Sequence, residues 1–237
     1  MKIALIGYGK MGKAIEEIAV AKGHEIVLKI TIDNTEEMTD ANLQKADVAI
    51  EFTGPESAVE NIKQCLSAGV PVVSGSTGWL AQWEEVKQHC EQNNGALVYA
   101  SNYSIGVNLF FEVNKYLAKL MANYDYDVEL KEVHHTQKKD SPSGTAITLA
   151  EQVLEQIKQK KNWINEPSED KSQLQIISER VDPAPGTHHV KYSSPIDDIE
   201  IIHTAHNRTG FASGAVAAAE FLKYKTGIFN MRDVLGL

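Results

Sequence analysis

Apolar positions change their period along this chain in a way that lays out its elements. Residues 2–6 are apolar apart from Lys2, and after a glycine-rich turn Ile15, Ile18 and Ala19 recur at helical spacing. A second apolar run covers residues 25–32. Strand, helix and strand follow in that order. The same reading predicts strands over 46–52, 71–74 and 96–100, with helices over 56–67 and about 80–92. Strands alternating with helices build an α/β fold, a doubly wound parallel sheet. Ligands of such sheets sit beyond the carboxyl ends of the strands. At those ends the sequence places Thr53-Gly54, Gly75-Ser76-Thr77 and Ser101-Asn102-Tyr103, each adequate as a plain turn but together suited to hold a cofactor.

The pattern changes after residue 104. An amphipathic helix is predicted over 107–121, a strand over 126–134, and a helix from Gly144 to about Lys160. A polar tract, 162–171, reads as a loop, and three strands over 173–178, 188–193 and 198–204 follow without helices between them. Strands joined without crossovers form antiparallel or mixed sheets, so a second, α+β domain with an open mixed sheet is expected. A helix of small residues, 210–224, is suited to close packing.

Composition narrows the function classes. At 237 residues the chain is one large or two small domains. A formal net charge of −9 argues against nucleic acid or an anionic membrane as partner. No apolar run approaches the ~20 residues of a membrane span, and the N-terminus runs into a strand without a secretory signal. Cys65 and Cys90 fall in helical patterns without metal-type spacing, which predicts buried free thiols and a reducing, cytoplasmic setting.

Two segments carry chemistry. Gly7, Gly9 and Gly12 form G-x-G-x-x-G between the first strand and helix, and Asp33 closes the second strand region 21 residues after Gly12. In a dinucleotide site the first glycine makes the turn and the second admits the pyrophosphate. The third packs helix on strand, and the acid holds the ribose diol. The bland reading is a tight turn with no ligand. The second segment, EVHHTQKKDSPSGTA, places His134, His135, Lys138 and Lys139 within six residues and then enters a helix at Gly144-Thr145. Imidazoles and ammonium groups this close can attract an anion and deliver a proton near neutral pH. N–H groups at a helix start can cradle a carboxylate. The bland reading here is a solvated loop that caps a helix.

Other conspicuous residues weigh less. His203 and His206 have no carboxylate or cysteine at ligand spacing, so no metal is expected. His188 and His189 alternate on a strand and face opposite sides. Arg180 or Arg208 could assist a carboxylate or form surface pairs, and Trp79, Trp83 and Trp163 read as packing residues.

The motifs GYGKMG, EFTGP, GSTG, ASNYSIGVN, EVHHTQKKDSPSGTA, FASGAVAAA and GIFNMRDVLGL together resemble the 4-hydroxy-tetrahydrodipicolinate reductase family, from the first strand to the last residues. The resemblance implies a nicotinamide-dependent enzyme of lysine and diaminopimelate biosynthesis, acting on a small dicarboxylate and assembled as a homotetramer. It implies a dinucleotide-binding domain over 1–104 completed by 213–237, and a substrate-binding and oligomerisation domain over 105–212. His134 takes the position of the family's catalytic histidine and Lys138 that of its catalytic lysine. His135, Gly144 and Thr145 fall on substrate positions. Gly7, Gly9, Lys10, Met11, Gly12, Asp33, Gly75, Ser76, Thr77, Ala100, Ser101, Asn102 and Tyr103 fall on cofactor positions. NADH, NADPH or both are implied as donor. Two departures stand out: Ser141 replaces the usual alanine, and Ser178 to Gly186 reads SERVDPAPG where the family has Ser-x-Arg-Gly-Gly. A non-catalytic NAD(H) sensor would share the glycine turn without needing the His-His-x-x-Lys segment. An aldehyde-oxidising dehydrogenase would need a reactive cysteine at a strand or loop end, where neither cysteine lies.

Overall fold

The fold is that of a computed structural model, which describes residues 1–207 and 209–237. Two compact units emerge, Met1–Ile105 with Thr209–Leu237, and Gly106–Arg208.

In the first unit the elements run β1 (Lys2–Ile6), α1 (Lys10–Ala21), β2 (Glu25–Ile30), a short α2 (Asp40–Leu43), β3 (Val48–Glu51), α3 (Pro55–Ser67), β4 (Val72–Ser74), α4 (Trp83–Gln92) and β5 (Ala96–Tyr99). The remaining elements of the chain are α5 (Ile105–Met121), β6 (Asp127–His134), α6 (Gly144–Gln156), β7 (Asn162–Ile164), β8 (Gln173–Arg180), β9 (Gly186–Ser193), β10 (Asp198–Ala205), α7 (Thr209–Leu222), β11 (Gly227–Phe229) and α8 (Met231–Leu235). The first sheet is parallel throughout, in the order β11-β5-β4-β3-β1-β2. Its direction of growth reverses between β1 and β3, which is where a doubly wound sheet opens a crevice for a ligand.

Strand alternation explains why both faces are covered. Ile3 and Leu5 of β1 join a core with Ile15 and Ala19 of α1 and Ala212, Ala215, Ala218 and Ala219 of α7. Ala4 and Ile6 join the opposite core with Val59, Ile62 and Cys65 of α3 and Val86 and Cys90 of α4. The small-residue helix fulfils its expectation: a Cβ at Gly214 would stand 1.7 Å from the Tyr103 carbonyl oxygen. Both cysteines are buried free thiols whose ionisation burial pushes up, Cys90 to about 11. Trp79, Trp83 and Tyr99 pack as one aromatic group, as expected of packing residues.

The second unit carries a mixed sheet in the order β10-β9-β6-β8-β7, with β9 antiparallel to β6 and β10, and β8 parallel to β6 and β7. Val128, Leu130, Leu174, Ile176, Val190 and Tyr192 face Phe110 and Ala118 of α5 and Leu149, Ala150 and Val153 of α6 in a third core. Several expected bounds shift. Strand β8 runs on to Arg180, β9 starts at Gly186, α6 stops at Gln156, and the expected loop 162–171 contains β7. None of the described helices is long and apolar enough to cross a membrane.

Candidate active site

Strand β6 is an ordinary core strand for half its length and a polar one thereafter. Its alternate residues Val128, Leu130, Glu132 and His134 are all buried. Register turns that alternation into cross-strand rungs. Leu130 lies between Ile176 of β8 and Val190 of β9, an apolar rung. One pleat further, Glu132 lies between Ser178 and His188. Beyond it, His134 pairs with Arg180, and a Cβ at Gly186 would stand 3.0 Å from His134 Nε2.

The rungs form one cluster. Glu132 is fully buried, and both its oxygens accept from the Ser143 N–H at 3.2 Å. Arg180 donates to Oε1 at 3.1 Å, and His134 Nδ1 lies 3.3 Å from Oε2. Burial opposes the charge of Glu132, but neighbouring His134, Ser143, Ser178 and Arg180 outweigh it and hold its carboxyl well below the usual range. His188 packs edge-on against His134 with centroids 5.1 Å apart, and its Nε2 lies 3.2 Å from Ser143 Oγ. Burial first, and then neighbouring His134, push the His188 imidazole down to about 3, so it is neutral at physiological pH.

The structure adds to three readings from sequence. His188 and His189 do face opposite sides, His189 meeting Glu200 at 2.8 Å, but His188 belongs to the site. Of the two roles open to Arg180, the structure has it meeting a buried carboxylate. Glu132, His134 and His188 bring ligand-type atoms within 4.8 Å of one another, a metal-capable grouping that spacing along the chain did not reveal. Here Glu132 is already engaged by Arg180 and Ser143. Half-buried His203 packs beside Phe110, while Arg208 lies outside the described residues.

Past His134 the chain turns into the basic segment. Lys138 Nζ meets both carboxylate oxygens of Asp140, at 2.8 and 2.9 Å, and His135 is partly exposed. Ser143 caps α6, its Oγ accepting from the Ala146 N–H. Gly144 is exposed, and a Cβ there would meet nothing within 4 Å. The departing stretch after Arg180 is tied to this segment without a glycine pair. The Val181 N–H donates to the His134 carbonyl at 2.7 Å, and Asp182 accepts from the Thr136 N–H and hydroxyl. Gly186, at φ +156, meets the one demand for glycine in that stretch.

In the first unit, a Cβ at Gly7 would stand 2.1 Å from the Phe52 carbonyl oxygen, and one at Gly12 would stand 2.5 Å from that of Gly7. Gly9, in contrast, is exposed and would meet nothing within 4 Å. An open backbone at the N-terminus of a twelve-residue helix is the cradle a pyrophosphate requires. Lys10 is exposed and Met11 half-buried. Asp33 is exposed three residues beyond the end of β2, in a turn where its N–H donates to Thr31 Oγ1 at 3.1 Å. Behind Gly75, Ser76 and Thr77 sits a residue that sequence reading passed over. Glu51 is fully buried and accepts from the Thr53 N–H and the hydroxyls of Thr53, Ser74 and Ser76. Ala100, Ser101 and Asn102 follow β5, and the Tyr103 side chain is buried, its hydroxyl donating to the Ser74 carbonyl at 2.7 Å.

Family models described as dihydrodipicolinate reductase, N-terminus and C-terminus, match residues 1–103 and 106–235. The chain belongs to the dihydrodipicolinate reductase family. It is 52% identical to the 4-hydroxy-tetrahydrodipicolinate reductase of Christiangramia forsetii, covering 99% of this chain and 98% of that one. It is 36% identical to the enzyme of the same name from Methanosarcina barkeri, covering 97% and 83%. In fold it is similar to a dipicolinate-bound dihydrodipicolinate reductase from Paenisporosarcina sp. TG-14, with a TM-score of 0.78 over 98% of both chains at 23% identity. An amine dehydrogenase from Mycobacterium smegmatis follows at a TM-score of 0.65. Membership in this reductase family makes the chain an oxidoreductase and implies a nicotinamide cofactor.

Proposed function

We propose that the chain reduces 4-hydroxy-tetrahydrodipicolinate, or its dehydrated form, to tetrahydrodipicolinate in lysine and diaminopimelate biosynthesis. The observation that carries this reading is the end of β6, where buried His134 adjoins the Lys138 segment and the open N-terminus of α6. A cyclic imine or enamine with two carboxylates needs those groups: cations and N–H donors to hold it, and a proton source. Bound nicotinamide supplies the hydride. Lys138 leaves Asp140 to neutralise a carboxylate and polarise the reacting centre, and His134 supplies or relays the proton. His135, Gly144 and Thr145 bind the substrate, with the first N–H groups of α6 facing a carboxylate. The solved relative that holds dipicolinate, a ring dicarboxylate, supports this substrate class.

On this reading, the first unit is the dinucleotide-binding domain and the second the substrate and oligomerisation domain. The glycine turn, with Lys10 and Met11, receives the pyrophosphate, and the segments at Gly75–Thr77 and Ala100–Tyr103 adjoin the nicotinamide half. Asp33 accepts from the ribose hydroxyls and repels a 2′-phosphate, and Lys10 is the cation that rescues some NADPH binding. NADH is therefore at least as good a donor as NADPH. A strong NADPH preference in kcat/KM that survives Lys10→Ala would overturn the role of Asp33. The enzyme works in the cytoplasm as a homotetramer. Strand β10, at the edge of the mixed sheet with Ile202 exposed on one face, is the surface offered to a second copy, a state that light scattering measures. The deciding assay is NADH oxidation on adding the condensation product of pyruvate and aspartate semialdehyde; no substrate-dependent oxidation would refute the reading.

A further inference from the structure

We propose that Glu132 is a positioning residue for this reaction, a buried carboxylate that fixes the orientation of His134 and locks it to the N-terminus of α6. The proposal rests on the reading of His134 as the proton-transferring group. A carboxylate on the core face of a strand is costly to bury, and a well-packed apolar side chain there is often neutral or stabilising. The fold therefore gives no reason for Glu132, whose strand neighbours on the same face, Val128 and Leu130, are apolar.

Its partners give the reason. Three elements converge on one carboxylate: the Ser143 N–H that begins α6, the Arg180 guanidinium that ends β8, and His134 Nδ1 on its own strand. His134 Nδ1 is buried without a made hydrogen bond, 3.3 Å from Oε2; a carboxylate that holds its charge only accepts, so a proton on Nδ1 is the form this approach favours. Nε2 is then the atom left to exchange a proton, and Gly186 leaves space beside it: an added Cβ would stand 3.0 Å away. Edge-on His188, uncharged at physiological pH, packs against the same ring at 5.1 Å between centroids and adds no competing charge. Glu132 thus couples the angle of the imidazole to the site where a substrate carboxylate would dock, one residue beyond Ser143.

The test is Glu132→Gln, alone and combined with His134→Gln. The amide keeps the shape and can still accept from Ser143, but its charge is gone. The expected result is a kcat about 10- to 100-fold lower, with substrate KM and NADH affinity within about threefold of wild type and a cooperative melt. In the His134→Gln background the same change should cost almost nothing more, because residues acting as a unit are not additive. A wild-type kcat in Glu132→Gln, or losses that multiply in the double variant, would overturn the proposal while leaving the role of His134 intact. If His134→Gln itself turns over like wild type, the reading of His134 and this proposal fall together. Should Glu132→Gln not fold, Glu132→Asp decides. It keeps the charge but withdraws it from the ring, so a reduced kcat supports the proposal and an unchanged one overturns it.

Discussion

At the glycine turn after β1 the first unit offers a ligand its backbone, while at the end of β6 the second unit offers side chains with fixed charge. Gly7 and Gly12 are there because neighbouring main chain leaves no room for a Cβ, and Gly9 because the space in front of it is open. Around His134 the groups are Glu132, Arg180, His188 and Ser143, oriented by one another. The contrast follows from the task proposed for each region. Phosphate charge is diffuse and permanent, so N–H groups and a helix start suffice to bind it. Moving a proton needs a group that can change charge, and such a group must be held in a set tautomer and angle. One region should therefore be sensitive to added volume, the other to altered charge.

The largest effect expected is on turnover. His134→Gln and Lys138→Ala should each lower kcat by about 10²–10⁴-fold, with NADH affinity, measured by fluorescence titration, almost unchanged. Wild-type rates in both would erase the distinction between the two regions. The glycines offer the next contrast. Gly7→Ala, forced against the Phe52 carbonyl at φ +92, should destabilise the protein by about 3 kcal/mol or more. Gly9→Ala should melt like wild type and yet bind NADH about tenfold more weakly, as calorimetry of both properties would report.

A smaller effect belongs to Gly144, a backbone device in the second region. Its surroundings are open, so Gly144→Ala should fold normally and raise substrate KM about fivefold with little change in kcat. An unchanged KM would place the carboxylate elsewhere. The smallest effect is on pH dependence. His188 is lowered from 6.5 to about 3 by burial and then by His134, so an unfolded chain takes up its proton first on acidification. Its contribution to stability is complete above pH 6.5 and is lost as pH falls toward 3. Glu132, also lowered, acts in the same direction below its ordinary 4.5. The melting temperature should decline through that range, and His188→Asn should flatten the slope between pH 6.5 and 4.5.

Much of this was legible from the chain because it is local. The glycine turn, the strands of the parallel sheet and the capped start of α6 each depend on residues close in sequence. Two of the short strands were not legible, although three-residue β4 was. Three-residue β7 and β11 have no alternation to read, and each is a strand only because β8 or β5 offers it an edge. Glu132 escaped, and Arg180 and His188 were named without being joined to it, because only the register of β6 with β8 and β9 brings them together. Glu132 shares the parity of buried Val128 and Leu130, but a carboxylate on that face runs against the cost of burying charge, and the partners that offset it, Ser143 and Arg180, lie 11 and 48 positions away. Asp33 was placed correctly in order but not in geometry, since β2 ends at Ile30 and a turn carries the acid outward.

The amino-acid sequence by itself determined the class of fold, the turn able to accept a dinucleotide and the segment rich in imidazole and ammonium groups. Those properties follow from period, glycine placement and charge within short windows. Tertiary structure alone decided that Glu132, Arg180 and His188, 56 positions apart at the extremes, share one buried cluster with His134. Strand register is a long-range choice: a one-residue slip of β8 would turn Arg180, and one of β9 would turn His188, to the face away from Glu132 and His134. The apolar rungs Val128–Tyr192 and Leu130–Val190 set that register by their burial, and the polar rungs beyond them inherit it.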